Sequence, residues 1–225
     1  MCGAAPAAAQ QVVGYGSAEA GGAGSSLFLV GASLSPGGIG VQPVAGAQIY
    51  HLNYPIGGGS TASNNVFAAS LGLKNQSAVG AMQAGVGYAW VSSSTNTPAA
   101  VGTFPIPAQS KNGVFATVQG DYWGTGAHTA QFIGSWNFAN DFLWTRVQGA
   151  ERIGDVDSPL SAGAEAGVLG GGLSGAKSWG FFVGPTLGVK VSQQLRLTGA
   201  VGYRAETSPR SIGTGYAKID FVFVP

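Results

Sequence analysis

Hydrophobic and polar residues alternate along this chain with a period of two. From Met82 to Trp90 the even positions are Met82, Ala84, Val86, Tyr88 and Trp90, and the odd positions between them are Gln83, Gly85, Gly87 and Ala89. The split recurs at Trp179, Phe181, Val183, Pro185, Leu187 and Val189 against Gly180, Phe182, Gly184, Thr186, Gly188 and Lys190. It returns at Leu195, Leu197, Val201 and Tyr203 against Arg196, Thr198, Gly202 and Arg204. Such a period over ten or so residues describes a long β-strand with two unlike faces.

The pattern predicts twelve strands, near 11–20, 25–35, 41–53, 65–75, 78–91, 113–124, 127–138, 142–152, 159–169, 178–191, 194–205 and 214–224. Each reaches the roughly 9–11 tilted residues that cross a bilayer. With the first strand drawn upward, the lower turns are 36–40, 76–77, 125–126, 153–158 and 192–193. The upper loops are 21–24, 54–64, 92–112, 139–141, 170–177 and 206–213, and they include the longest. Short turns on one side and long loops on the other are the habit of outer-membrane barrels. The expected fold is therefore all-β: a single antiparallel, up-and-down transmembrane β-barrel over 11–225, monomeric, in the bacterial outer membrane. Ten strands is the alternative, because 11–20 and 41–53 alternate least cleanly.

Aromatic residues collect where two interfacial girdles belong. Tyr50, Tyr88, Trp90, Trp136, Phe138, Phe142, Trp144, Trp179, Phe181 and Tyr203 fall near upper strand ends; Tyr122, Trp123, Phe221 and Phe223 fall near lower ends. Trp123 and Trp144 have inward parity and read as lumen packing. A soluble barrel or sandwich is the rival, with the apolar face turned inward, but its outer face would need charges. Here Arg146, Arg152, Glu165, Lys190, Arg196, Arg204, Lys218 and Asp220 all share the inward parity. A lipid-facing exterior demands that arrangement, since a mid-plane Arg or Lys on it costs about 2–4 kcal/mol. On neighbouring strands these residues can form a salt-bridge ladder filling the lumen, or a slightly basic pore wall favouring anions or acidic sugars.

Composition sharpens this picture. Only 8% of the 225 residues are charged, 39 are Gly, and the net charge of +1 supplies no basic stripe for nucleic acid. No apolar run approaches the roughly 20 residues of a membrane-spanning helix. Residues 1–10, with Ala7-Ala8-Ala9 before Gln10, read as a signal-peptide remnant or a disordered Ala-rich tail. The single cysteine, Cys2, lies within that segment, so a chain starting near Gln10 has no disulfide or thiol metal site.

The last strand, Tyr216 to Pro225, alternates Ala217, Ile219, Phe221 and Phe223 against Lys218 and Asp220. It resembles the C-terminal signal read by the outer-membrane assembly machinery, which usually ends on an aromatic residue; here Val224 and Pro225 follow Phe223. Trp144-Thr145-Arg146, Leu160-Ser161-Ala162-Gly163-Ala164-Glu165-Ala166-Gly167 and Leu197-Thr198-Gly199-Ala200-Val201-Gly202-Tyr203 make the 142–224 region similar to the BcsS-like outer-membrane proteins of bacterial cellulose-synthesis clusters. The resemblance implies an accessory role in exopolysaccharide production, with polysaccharide or export proteins as partners and no catalytic residues. A passive or loop-gated pore is the alternative, and a lipid-modifying enzyme a third.

Motifs for catalysis or cofactors are poor. Gly171-Gly172-Leu173-Ser174-Gly175-Ala176-Lys177-Ser178 approximates a phosphate-binding loop, but Ala176 replaces a required glycine and Trp179 opens a strand. His51 and His128 lack metal-ligand spacing, and Thr129 points away from His128 as its strand neighbour. His51 paired with a loop serine is the residual catalytic arrangement. Asp155 and Asp157 sit in one turn without further calcium ligands, and Asn75-Gln76-Ser77 is a sequon at a predicted lower turn. No enzyme activity, metal or cofactor is expected. The 92–112 segment, with Pro98, Pro105, Pro107 and one charge, Lys111, is expected to fold over the upper mouth or to engage a partner outside the cell.

Overall fold

A computed structural model describes residues 10–57, 60–96, 109–123, 127–139, 141–155, 157–173, 176–207 and 212–224. Twelve antiparallel strands close on themselves, each paired to its sequence neighbour and β12 paired back to β1. They are β1 (Gln11–Gly21), β2 (Ser26–Ser35), β3 (Gly40–Gly57), β4 (Ser60–Gln76), β5 (Gly80–Asn96), β6 (Gln109–Tyr122), β7 (His128–Asn137), β8 (Phe142–Arg152), β9 (Leu160–Leu173), β10 (Ala176–Lys190), β11 (Leu195–Thr207) and β12 (Ile212–Phe223). A 3₁₀ turn, Gly22–Gly24, joins β1 to β2. Both poorly alternating segments form strands, which settles the count at twelve rather than ten.

Closure satisfies every strand edge, as backbone in a bilayer requires. Gly14 to Gly21 pair with Phe223 to Tyr216 in unbroken register. Pro185, which has no N–H to donate, interrupts the ladder without shifting it: β10–β11 pairing passes from Val183–Tyr203 to Thr186–Ala200.

The outer face is apolar and uncovered. Leu71 is 70% exposed, Val86 64%, Leu187 59% and Ile219 61%, which suits a surface solvated by lipid rather than water. Together with closure, this is the architecture of the bacterial outer membrane. The girdle residues Tyr88, Trp90, Trp136, Phe138, Trp179, Phe181, Tyr203 and Phe223 lie on this face and are exposed. Phe221 also points outward but is half-covered, because its ring lies across Gly16, where an added Cβ would stand 2.3 Å from Phe221 Cε1. Tyr50 and Phe142 do not join the girdle: both line the lumen, since they fall on the inward parity of β3 and β8.

The strands of one wall overrun their predicted ends. β3, β4 and β5 reach Gly57, Ser60 and Asn96, and β6 begins at Gln109. Thr61 to Asn65 pair with Asn96 to Ser92, a Ser/Thr/Asn-rich stretch with no hydrophobic contrast to read, held by the backbone ladder and by side-chain bonds such as Ser93 Oγ to Asn64 Oδ1 at 2.5 Å. The predicted loops 54–64 and 170–177 therefore shrink to 58–59 and 174–175. The expected mouth-covering segment is reduced to 97–108 and lies outside the described residues, as does all but Gln10 of the expected signal remnant.

Candidate functional site

The lumen face is built from the inward parity of each strand. On one side it carries a buried ion network. Arg146 on β8 reaches across to Asp220 on β12, with Nη1 2.6 Å from Oδ2, although three strands separate them along the wall. The Lys218 ammonium bonds Glu165 and stands 3.3 Å from Asp220 Oδ2. Tyr216 Oη donates to Glu165 Oε1 at 2.9 Å, and Arg146 Nη1 lies 4.0 Å from Glu165 Oε2. Beside them Arg204 Nη1 donates to Glu19 Oε1 at 2.7 Å. The Glu165 side chain is 0% exposed, and Lys218, the Tyr216 hydroxyl and, farther off, Arg146 supply the partners that a buried carboxylate requires.

Glycines make room for this network. An added Cβ at Gly202 would lie 2.7 Å from Tyr216 Cε1, and one at Gly167 would lie 2.3 Å from Phe182 Cζ. The two rings thus pack against the β9–β11 wall at these glycines, 5.8 Å apart and edge to face. Lys218 Nζ sits 5.8 Å from the Phe182 ring centre, adding a cation–π contact.

Amides carry the polar surface onward around the barrel. Arg146 Nη2 donates to Gln131 Oε1 at 2.6 Å, and Gln131 Nε2 donates to Asp121 Oδ1 at 2.8 Å. Gln119 Nε2 donates to Asp121 Oδ2 at 2.7 Å, and Gln83 Nε2 donates to Gln119 Oε1 at 3.4 Å. Lys74 Nζ donates to Gln11 Oε1 at 2.9 Å. These side chains border a lumen cavity of about 440 Å³, which Tyr15 and Trp144 also line. Towards the loop end side chains meet across the lumen. Asn137 Nδ2 donates to Tyr50 Oη at 3.4 Å across the barrel, and Val66, Ala68, Ala89, Val91 and Phe115 form an apolar core beside Tyr50.

The structure brings Arg146, Glu165, Arg204, Lys218 and Asp220 together and leaves the other three predicted lumen charges out. Lys190 is exposed at the short-turn end of β10, because its height on the strand places it past the wall. Arg152 is half-buried at the last residue of β8. Arg196 pairs in register with Lys190 and donates to Ser161 Oγ at 3.1 Å. The inward charges Glu19, Lys74 and Asp121 escaped sequence reasoning. Glu19 was detectable, since pairing the first strand with the last sets it opposite Lys218.

The network is more balanced than a basic pore wall, while Arg152 and Arg196, also on the inward parity, add positive charge near the short-turn end. Among the described contacts of the network, Glu19, Glu165 and Asp220 oppose Arg146, Arg204 and Lys218, three charges of each sign. The remaining motifs stand apart. His51 lies towards the loop end, with Nδ1 2.7 Å from Asn65 Oδ1 and Nε2 2.9 Å from Asn53 Nδ2, on the outward parity of β3. His128 is solvent-exposed beside Glu151 at 4.0 Å. The phosphate-loop-like segment falls on a hairpin, with β9 ending at Leu173 and β10 starting at Ala176, so no helix N-terminus is there to hold an anion.

No protein family and no curated protein matches this sequence. Solved structures do. The β-domain of the Bordetella autotransporter BrkA aligns with a TM-score of 0.53 at 8% identity, covering 95% of this chain and 98% of that one. The deltaS2 mutant of the monoaromatic hydrocarbon channel TodX aligns at 0.53 and 11% identity, over 98% and 90%. Outer-membrane expressed OmpT of Vibrio cholerae aligns at 0.50 and 13% identity, over 99% of each chain. The likeness reaches the whole barrel and, at these identities, speaks for architecture alone: the fold is that of the bacterial outer-membrane β-barrels.

Proposed function

We propose that this protein is a narrow outer-membrane channel for small uncharged solutes, and not an enzyme. The observation that carries the reading is the 440 Å³ lumen cavity, bordered by amides and by charges that neutralise one another. A cavity whose lining charges cancel, Glu19, Asp121 and Asp220 against Lys74, Arg146 and Arg204, gives neither cations nor anions an advantage there, so selection falls to size and hydrogen bonding. The Tyr50–Asn137 contact crosses the lumen towards the loop end through a single 3.4 Å hydrogen bond, and in this reading it is the gate. Among the structural relatives, TodX is by its description a channel, which is compatible with this reading. An accessory role in exopolysaccharide production rests on the 142–224 resemblance alone, and neither the comparisons nor the lumen adds support to it.

Within the same proposal the protein works as a monomer, with lipids as its surroundings and β12 as the strand that the assembly machinery reads. Planar-bilayer recording of the refolded barrel tests the channel reading. Small unitary currents with little preference between potassium and chloride are expected. A barrel that passes no current at any voltage would refute it, and so would strong anion selectivity.

A further inference from the structure

We propose that the lumen cavity is a binding site for a small uncharged polyhydroxylated molecule, a monosaccharide or polyol, seated between the Arg146–Asp220 link and the Gln119–Asp121–Gln131 row. The proposal deepens the channel reading and rests on it for the route to the site. A volume of about 440 Å³ falls in the roughly 300–1,000 Å³ range of small-molecule pockets.

The hydrogen-bonding inventory selects the ligand. Arg146 and Asp220 are 7% and 8% exposed and both line the cavity. Each keeps one polar atom without a partner, the donor Arg146 Nε and the acceptor Asp220 Oδ1. Both atoms are covered as the side chains stand, and buried groups left unpaired are costly, so a turn of either side chain that brings its free atom to the cavity wall is rewarded by a hydrogen bond from a bound molecule. A hydroxyl accepts and donates at once, so adjacent hydroxyls on one molecule satisfy both atoms with a small side-chain adjustment. Glutamine amides offer the same mixed chemistry, and Gln48, Gln83, Gln119 and Gln131 all reach the cavity.

Two other ligand classes are disfavoured by the same residues. An ion would enter a cavity whose lining charges sum to zero, Glu19, Asp121 and Asp220 against Lys74, Arg146 and Arg204, so whichever group attracts it is offset by another that repels it. An apolar molecule would strip water from the glutamine amides and return no hydrogen bond. A sugar also has C–H faces, and two aromatic rings stand ready for them. Tyr15 is fixed through its hydroxyl to Gln48 at 3.3 Å, and Trp144 is held under the Arg146 guanidinium at 5.8 Å.

Calorimetric titration of the detergent-folded barrel with D-glucose and with glycerol tests the site, with sodium acetate and toluene as the anionic and apolar probes. Saturable binding of glucose is expected, with neither acetate nor toluene competing. Gln131→Leu and Gln119→Leu, each checked for folding by its gel mobility before and after boiling, should weaken glucose binding about tenfold or more, the equivalent of 1.4 kcal/mol. Glucose binding that is absent, displaced by acetate or toluene, or unchanged in both variants overturns the proposal. Bilayer recording separates the two readings. A barrel that conducts yet binds no glucose leaves the channel standing without the site, and one that binds glucose without conducting leaves the site without the channel.

Discussion

Glu165→Gln removes one charge from the centre of the lumen network while keeping side-chain volume and an oxygen to accept from Tyr216. The wild-type carboxylate is 0% exposed and faces Lys218, Tyr216 and, at 4.0 Å, Arg146. Its loss changes the six-residue network from three charges of each sign to two negative and three positive, with the surplus held among buried side chains. Breaking one side of a buried pair costs about 3–5 kcal/mol, because the orphaned charge remains. Removing Lys218 as well, in Glu165→Gln/Lys218→Met, restores neutrality. Asp220 keeps its 2.6 Å bond to Arg146, so most of the loss should be recovered. Urea unfolding in lipid vesicles, followed by tryptophan fluorescence, measures both variants. A single variant within about 0.5 kcal/mol of wild type refutes the electrostatic reasoning. A double variant no more stable than the single one refutes it equally. The same single substitution should tilt bilayer currents towards anions, since it leaves a net positive wall.

Further expectations follow from the same geometry. Tyr50→Ala removes the hydroxyl that meets Asn137 and thins the apolar core beside it, so unitary conductance should rise on the order of twofold. Unchanged currents would place the constriction elsewhere. Gly202→Val puts a Cβ 2.3 Å from Val183 O and 2.7 Å from Tyr216 Cε1, and should lower unfolding stability by about 1–3 kcal/mol. Val86→Arg, at the middle of the lipid-facing side of β5 where Val86 is 64% exposed, should cost about 2–4 kcal/mol. Val191→Arg, 55% exposed just past the end of β10, should cost only about 0–1 kcal/mol, and equal losses at the two sites would contradict the membrane span. Unboiled and boiled samples should migrate differently on a denaturing gel.

The alternation at Met82–Trp90, Trp179–Val189 and Leu195–Tyr203 determined the strands by itself, because side chains in a strand point to opposite faces whatever lies beyond it. Charge parity likewise determined that Arg146, Glu165, Arg204, Lys218 and Asp220 face inward, since the lipid side excludes them. Parity carries no height, however. Lys190 and Arg146 have the same inward sense, yet one is exposed at the short-turn end and the other lies buried in the lumen. The upper ends of β3 to β5 left no trace for a related reason: a polar strand standing clear of the bilayer has two similar faces. What only the tertiary structure decided is which charges meet. Arg146 and Asp220 are 74 residues apart, and Glu19 and Arg204 are 185 apart. They come within bonding distance because twelve strands close with a particular stagger, which fixes the chords of the lumen and belongs to the ring as a whole.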